Sequence, residues 1–73
     1  MKKKRILYYT ELSKLINENI NLMQFCNRKN YGHIKYYCFI ASNELIDIYF
    51  NKGRISCDAY EYFKRRVYNG YWL

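Results

Sequence analysis

Apolar side chains recur every three or four residues through most of this chain, which is the period of an amphipathic α-helix. The first such run, interrupted only by one asparagine, consists of Leu12, Leu15, Ile16, Asn19, Leu22, Met23 and Cys26. Thr10 stands where an N-cap would precede the run, and Glu11 would lie favourably in the first turn. We therefore predict a first helix over about residues 11–26, ending in the polar turn segment 27–32.

The middle of the chain carries two competing patterns. Helical steps of four and three residues separate the apolar positions Ile34, Cys38, Ala41, Leu45 and Ile48. Residues 34–40, however, are also rich in β-forming side chains, and the polar segment 42–44 is suited to cap a helix that follows a strand. We favour one helix over about residues 33–51, and the alternative is a strand at 34–40 followed by a helix at 43–51.

Turn residues separate the second helix from a third. The segment 51–53 is typical of a helix end, with Gly53 suited to the left-handed position that follows the cap. Ser56 is suited to the N-cap of the next helix. One face of that helix would carry Tyr60, Phe63 and Val67. We expect Gly70 to end it, so the third helix covers about residues 56–69.

These elements predict an all-α fold, a small three-helix bundle with helices at about 11–26, 33–51 and 56–69 and a flexible basic arm at residues 1–5. The alternative is an α+β fold with short strands near 5–9 and 34–40. A chain of 73 residues has room for one core, so we expect residues 1–73 to form a single domain.

Residues Leu45 to Arg66 resemble the short C-terminal motif known as the SHOCT domain. In that family an apolar helix is followed by Gly-x-Ile-Ser/Thr, an acidic helix start, an aromatic residue and a lysine. The matching positions here are Leu45, Ile46, Tyr49, Gly53, Ile55, Ser56, Asp58, Tyr60 or Phe63, and Lys64. Ala59 stands where the family usually has Glu. The resemblance covers under a third of the chain and implies a role in oligomerisation or nucleic-acid contacts.

Charge gives the strongest indication of function. The chain has 13 Lys and Arg residues against six Asp and Glu residues, a formal net charge of +7, and such a surplus attracts polyanions. Cations and aromatic rings alternate in three places, at residues 2–9, 28–31 and 64–72. We predict a binding surface from the last two, formed by Arg28, Lys29, Tyr31, Lys64, Arg65, Arg66, Tyr68, Tyr71 and Trp72.

The sequence gives less support for catalysis or metal binding than for a binding surface. The pattern Cys26-x6-His33-x4-Cys38, with Cys57 further on, lacks the paired cysteines of a zinc knuckle. We therefore expect no metal site, and cysteines that act as small buried hydrophobes. The single histidine and six acids form no evident triad or acid–base dyad, so we expect neither an enzyme nor a cofactor.

The sequence is therefore interpreted as a small non-enzymatic binding protein. The function we favour is a regulator or inhibitor of the phage or mobile-element type, such as an anti-defence protein. It would dock on a host protein or ribonucleoprotein that handles nucleic acid. The alternative is direct binding of nucleic acid, either non-specific or single-stranded. We expect a cytoplasmic location and no membrane partner, since no apolar stretch has membrane-span length. A homodimer would also suit the many rings.

Overall fold

The computed structural model describes the backbone of residues 2–72 and the side chains of residues 5–72. It contains three helices, α1 (Lys2–Lys29), α2 (Gly32–Asn51) and α3 (Cys57–Trp72). The predicted all-α three-helix bundle is confirmed. The α+β alternative is wrong, because residues 5–9 lie within α1 and residues 34–40 lie within α2.

The helices run alternately up and down. Contacts of Tyr49 with Glu11 and of Ser42 with Asn19 set α2 antiparallel to α1. On the other side, Phe63 packs on Tyr9 near the start of α1. Gly70 lies against Ile20 further along α1, so α3 is parallel to α1. Parallel packing brings the C-terminal ends of α1 and α3 to the same end of the bundle, where the binding surface described below lies.

The first helix begins much earlier than predicted. Thr10 is not an N-cap: it lies inside α1, where its hydroxyl donates to the carbonyl of Ile6 at 3.0 Å. Such a bond to the preceding turn keeps the threonine within the helix. The structure includes residues 2–5 of the expected basic arm in α1, and Met1 lies outside the described residues. The flexibility of this arm stays a prediction. Near the start of α1, the ring of Tyr9 lies 5.0 Å from that of Phe63, and Ile6 lines a groove with Ile55 and Ala59.

The two turns use the left-handed backbone conformation at one residue each. In the first, Asn30 has φ 59°, and the amide of Tyr31 donates to the carbonyl of Cys26 at 2.9 Å. In the second, Gly53 has φ 70°, as predicted for the residue after the cap. The Ser56 hydroxyl then accepts a hydrogen bond from the amide of Ala59 at 3.2 Å, which confirms Ser56 as an N-cap.

The core lies on the common axis of the three helices. Its buried apolar side chains are Leu12, Ile16, Ile20, Met23, Cys26, Ile46, Tyr49, Ile55, Ala59, Phe63 and Val67. Most of the predicted α1 face is confirmed, although Leu15 and Leu22 are exposed. The predicted pairing of Phe63 with Val67 on the buried face of α3 is confirmed.

The predicted core face of α2 is wrong by roughly a quarter turn. The helix buries Ser42, Ile46 and Tyr49, whereas Ile34, Ala41 and Ile48 are exposed. Ser42 is fully buried because its hydroxyl is satisfied on both sides. It donates to the carbonyl of Cys38 at 2.7 Å and accepts from the Asn19 amide at 2.9 Å. Both hydrogen bonds remove the cost of burying a polar group.

The end of α3 also differs from the prediction. Gly70 does not stop the helix, which continues to Trp72. A Cβ at position 70 would come within 3.2 Å of the Ile20 side chain. Glycine therefore allows α3 to approach α1 closely at this point, and the third helix carries its last aromatic side chains to the end of the bundle.

Candidate binding surface

One end of the bundle combines cations with aromatic rings. Here the turn after α1, the start of α2 and the last turns of α3 come together. We call this surface the aromatic–basic end and define it by Arg28, Lys29, Tyr31, Lys35, Tyr36, Tyr68, Tyr71 and Trp72. The 28–31 turn and the last residues of α3 thus lie at the same end of the bundle. Their joint role in binding stays a prediction.

Tyr71 is the centre of this end. Its ring lies 4.5 Å from that of Phe39, 5.2 Å from that of Trp72 and 6.4 Å from that of Tyr36, measured between centroids. The Lys35 ammonium stands 4.6 Å from the Tyr71 centroid, a distance at which the ring face attracts the cation. Tyr71 therefore joins α3 to α2 and holds a positive charge beside the first turn.

A shallow polar groove lies beside Tyr71. It has a volume of about 340 Å³ and is lined by Cys26, Asn27, Asn30, Gly32, Lys35 and Tyr71. The amide side chains and the lysine offer hydrogen-bond donors to a carboxylate or phosphate oxygen. The groove is therefore suited to acidic groups on a binding partner.

The charges around this end have one sign. The chain contains no Asp or Glu from residue 19 to residue 43, nor from residue 62 onward. Arg28, Lys29 and Lys35 therefore have no acidic neighbours in the sequence segments that build the end. Unbalanced positive charge of this kind steers acidic partners toward it and speeds association at low salt.

The three consecutive cations 64–66 do not form one cluster. Successive residues of a helix point about 100° apart, so the three side chains leave α3 in different directions. Lys64 turns to α2, where its ammonium lies 3.1 Å from the Asp47 carboxylate and 3.3 Å from the Asn43 carbonyl. Arg66 lies 5.9 Å from the ring of Tyr62, and Arg65 is exposed.

Lys64 therefore contributes to the fold. Hydrogen bonds from Lys64 and from the Tyr60 hydroxyl hold the pKa of Asp47 below its usual value. Lys64 was predicted to belong to the binding surface, and its ammonium is paired with the Asp47 carboxylate. Its part in binding stays a prediction.

Sequence reasoning missed Lys35 and Tyr36 as members of this end. A usable signal was present, because both residues are among the first five of a helix that directly follows the segment 28–31. Once residues 33–51 are taken as a helix, this proximity places Lys35 and Tyr36 near that turn. The competing strand pattern at 34–40 obscured it.

The cysteines differ from one another in exposure. Cys26 is buried as expected and Cys38 is half-buried, whereas Cys57 is exposed, contrary to the expectation. Burial, with a contribution from Cys26, raises the pKa of the Cys38 thiol. Within residues 2–72, no three His, Cys, Asp or Glu side chains converge as ligands for a metal ion.

Comparison of the chain with protein-family models, with curated proteins and with solved structures found no match. Across the described part of the chain, no helix is both long and apolar enough to span a membrane.

Proposed function

We propose that this protein is a small non-enzymatic binding protein that docks, through its aromatic–basic end, on an acidic face of a larger protein that handles nucleic acid. We propose specifically that it is a regulator or inhibitor encoded by a phage or mobile element. The resemblance of residues 45–66 to the SHOCT motif belongs to the same proposal, since that family is associated with oligomerisation and nucleic-acid contacts.

The observation that carries this proposal is the composition of one end of the bundle. Cations from α1 and α2 stand beside exposed rings from α3, and the segments that build this end lack acids. Trp, Tyr and Arg are the residues most enriched among those that dominate protein interfaces. Such an end offers apolar anchor residues, and its positive charge is complementary to an acidic surface.

The arrangement of the rings favours a protein partner over stacked bases. Single-strand binding sites present free ring faces, on which successive bases stack. Here Tyr71 already contacts Phe39 and Lys35, and Tyr68 lies edge-on to Trp72 with centroids 6.1 Å apart. Rings packed edge-to-face form an uneven surface, which is suited to contact with a protein.

The first test is capture from a nuclease-treated bacterial lysate. Immobilised wild-type protein is expected to retain a nucleic-acid-handling protein, identified by mass spectrometry. The Arg28→Ala/Lys29→Ala variant should retain it at least tenfold less well. The matched control is Lys14→Ala/Lys52→Ala, which also removes two exposed cations but lies outside the aromatic–basic end. Equal capture by both variants would overturn the proposal.

The rings are tested in the same assay with a second matched pair. Trp72 and Leu7 are both 68% exposed, and only Trp72 belongs to the aromatic–basic end. Trp72→Ala is expected to weaken capture strongly, whereas Leu7→Ala should leave it unchanged. An effect of Leu7→Ala as large as that of Trp72→Ala would mean that the partner contacts some other surface.

Direct binding of nucleic acid remains the second candidate, because the same cations would neutralise phosphates. It predicts that random single- or double-stranded oligonucleotides bind at low salt, with affinity falling steeply as salt is raised. Fluorescence anisotropy over a salt series measures this. Micromolar binding that Arg28→Ala/Lys29→Ala weakens and that Lys14→Ala/Lys52→Ala spares would replace the protein-docking proposal with direct binding.

A further inference from the structure

The second helix carries an apolar face that the bundle does not cover. We call it the α2 outer face and define it by Ile34, Tyr37, Ala41 and Ile48. Ile34 is 55% exposed, Tyr37 78% and Ile48 48%, and Ala41 is exposed between them. Leu15 and Leu22 of α1 are exposed as well.

A groove lies along the N-terminal half of this face, between α2 and α1. It has a volume of about 350 Å³ and is lined by Asn19, His33, Ile34, Tyr37, Cys38 and Ala41. The fold does not require apolar residues here, because α2 faces the core through Ser42, Ile46 and Tyr49. Exposed apolar side chains grouped on one helix face of a small protein often mark a contact with another molecule.

We propose that the α2 outer face binds the same face of a second copy of this chain, with the two α2 helices antiparallel across a two-fold axis at Ala41. The spacing of the residues carries this assignment. Ile34 and Ile48 each lie seven residues from Ala41, which is two helical turns in either direction. The face is therefore self-complementary, as a two-fold contact requires.

In this arrangement the two isoleucines of the face pair across the contact. Ile34 of one copy packs on Ile48 of the other, and the two Ala41 side chains face each other. A small residue at the crossing point lets two helices approach to the usual 8–10 Å between axes. Leu15 and Leu22 widen the contact on the side of α1.

Charge selects a second copy at this face. Two chains of net charge +7 repel one another wherever cations meet. From residue 36 to residue 51 there is no Lys or Arg, and Lys35 is held at the ring of Tyr71. Of the two acids in that segment, Asp47 pairs with Lys64, which leaves one Glu44 on each α2. Two copies can therefore meet along residues 36–51 without bringing cations together, and each copy brings one exposed Glu44 three residues from Ala41.

The size of the face indicates a moderate affinity. Residues 34–48 span about 21 Å of helix. An interface of standard size removes about 800 Å² from each partner, which is about a seventh of the 5511 Å² surface of this chain. A single helix pair with two flanking leucines reaches at most that size, and contacts at the low end of the size range are typically weak and transient.

The proposal is tested by sedimentation velocity over a wide range of protein concentration. The full chain should shift from monomer to dimer, and Ile48→Glu should weaken association at least thirtyfold because it places two carboxylates in the apolar contact. Leu7→Glu is the control, since Leu7 is exposed and lies outside the face. A chain that stays monomeric throughout, or a Leu7→Glu variant that dissociates equally, overturns the proposal. Circular dichroism checks that Ile48→Glu is folded, and Ala41→Glu replaces it if it is not.

Disulfide trapping tests the register. In a Cys57→Ser background, Ala41→Cys should give covalent dimers, because a two-fold axis at Ala41 brings the two residues within disulfide distance. Ile34→Cys alone should not link above that background, whereas a mixture of Ile34→Cys and Ile48→Cys should. A disulfide between two Ile34→Cys copies would mean parallel helices. Absence of the 41–41, 34–34 and 34–48 disulfides would mean another interface. Either result overturns the proposed arrangement.

Discussion

The hydroxyl of Tyr49 donates a hydrogen bond to the Glu11 carboxylate where α2 packs on α1. Tyr49 is buried in the core, its ring lies edge-on to Tyr8 at 6.3 Å, and the Arg54 guanidinium is 5.5 Å from the same ring. Burial and then the bond to Glu11 raise the pKa of Tyr49 to about 12. The protonated side chain is therefore part of the folded structure.

This pKa predicts a loss of stability at alkaline pH. An unfolded tyrosine ionises near pH 10, so the folded state retains the proton that the unfolded state loses. The stabilisation is complete below about pH 10 and falls as pH rises toward about 12. Tyr49→Phe should remove this part of the pH dependence and cost about 1–2 kcal/mol at neutral pH. Urea unfolding at several pH values measures both effects.

The exposed Tyr68 supplies the control for this experiment. Tyr68→Phe should leave the pH dependence of unfolding as it is in the wild type. If Tyr49→Phe and Tyr68→Phe unfold alike from pH 9 to pH 12, the buried bond to Glu11 does not govern alkaline stability.

At the scale of the elements, the sequence predicted the number and type of helices and most of the core of α1 and α3. It did not identify the buried face of α2, because that helix has apolar residues on two faces. Ile34, Ala41 and Ile48 follow a regular helical repeat, yet the bundle buries Ile46 and Tyr49. Periodicity shows that a face is apolar, and packing partners elsewhere in the chain decide which face is covered.

The candidate site was predictable to a similar extent. The turn 28–31 and the last residues of α3 were expected to lie together, and Asn30 and Tyr71 line the same groove. The run 64–66 was read as one cluster because neighbours in sequence look like neighbours in space. Its dispersal follows from helix geometry, and the pairing of Lys64 with Asp47 depends on how α2 and α3 are aligned. That alignment comes from the tertiary packing, which a local pattern does not contain.

The turn between α2 and α3 gives a prediction at this scale. Gly53 has φ 70° with open space around it, so an alanine there is disfavoured by its backbone conformation alone. Gly53→Ala should lower the free energy of unfolding by about 1–2 kcal/mol. Gly32→Ala is the matched control, because Gly32 also has open space but opens α2 without a positive φ. It should be neutral or stabilise by up to about 1 kcal/mol.

Thermal and urea unfolding of both variants distinguish the two cases. Equal destabilisation by Gly53→Ala and Gly32→Ala would mean that the positive φ of Gly53 does not set the cost.

For the molecule as a whole, the core is small, with eleven buried apolar side chains among the described residues. Phe63 is fully buried, and its ring lies 5.0 Å from that of Tyr9 and 5.3 Å from that of Tyr62. It therefore joins α3 to α1 at the centre of the contact. A domain of this length has a total stability of roughly 4–11 kcal/mol, so one large cavity consumes much of it.

Phe63→Ala is accordingly expected to unfold a large fraction of the molecules at room temperature, because replacing a buried Phe by Ala costs about 3–5 kcal/mol. Circular dichroism should register the loss across all three helices together. Tyr62→Ala, at the exposed neighbouring position, should cost much less and keep the cooperative transition. Retention of full helicity and wild-type midpoint by Phe63→Ala would contradict the role assigned to this side chain.

The length of α1 has a consequence for any ligand that is larger than one end of the bundle. The helix has 28 residues without interruption and runs along the 43 Å long axis of the molecule. It therefore fixes the separation between the basic residues 2–5 and the basic pair 28–29, whose backbones stand about 37 Å apart. That separation is close to one turn of duplex DNA. A short polyanion engages one group at a time, whereas a surface with two acidic clusters at this spacing engages both without bending the helix.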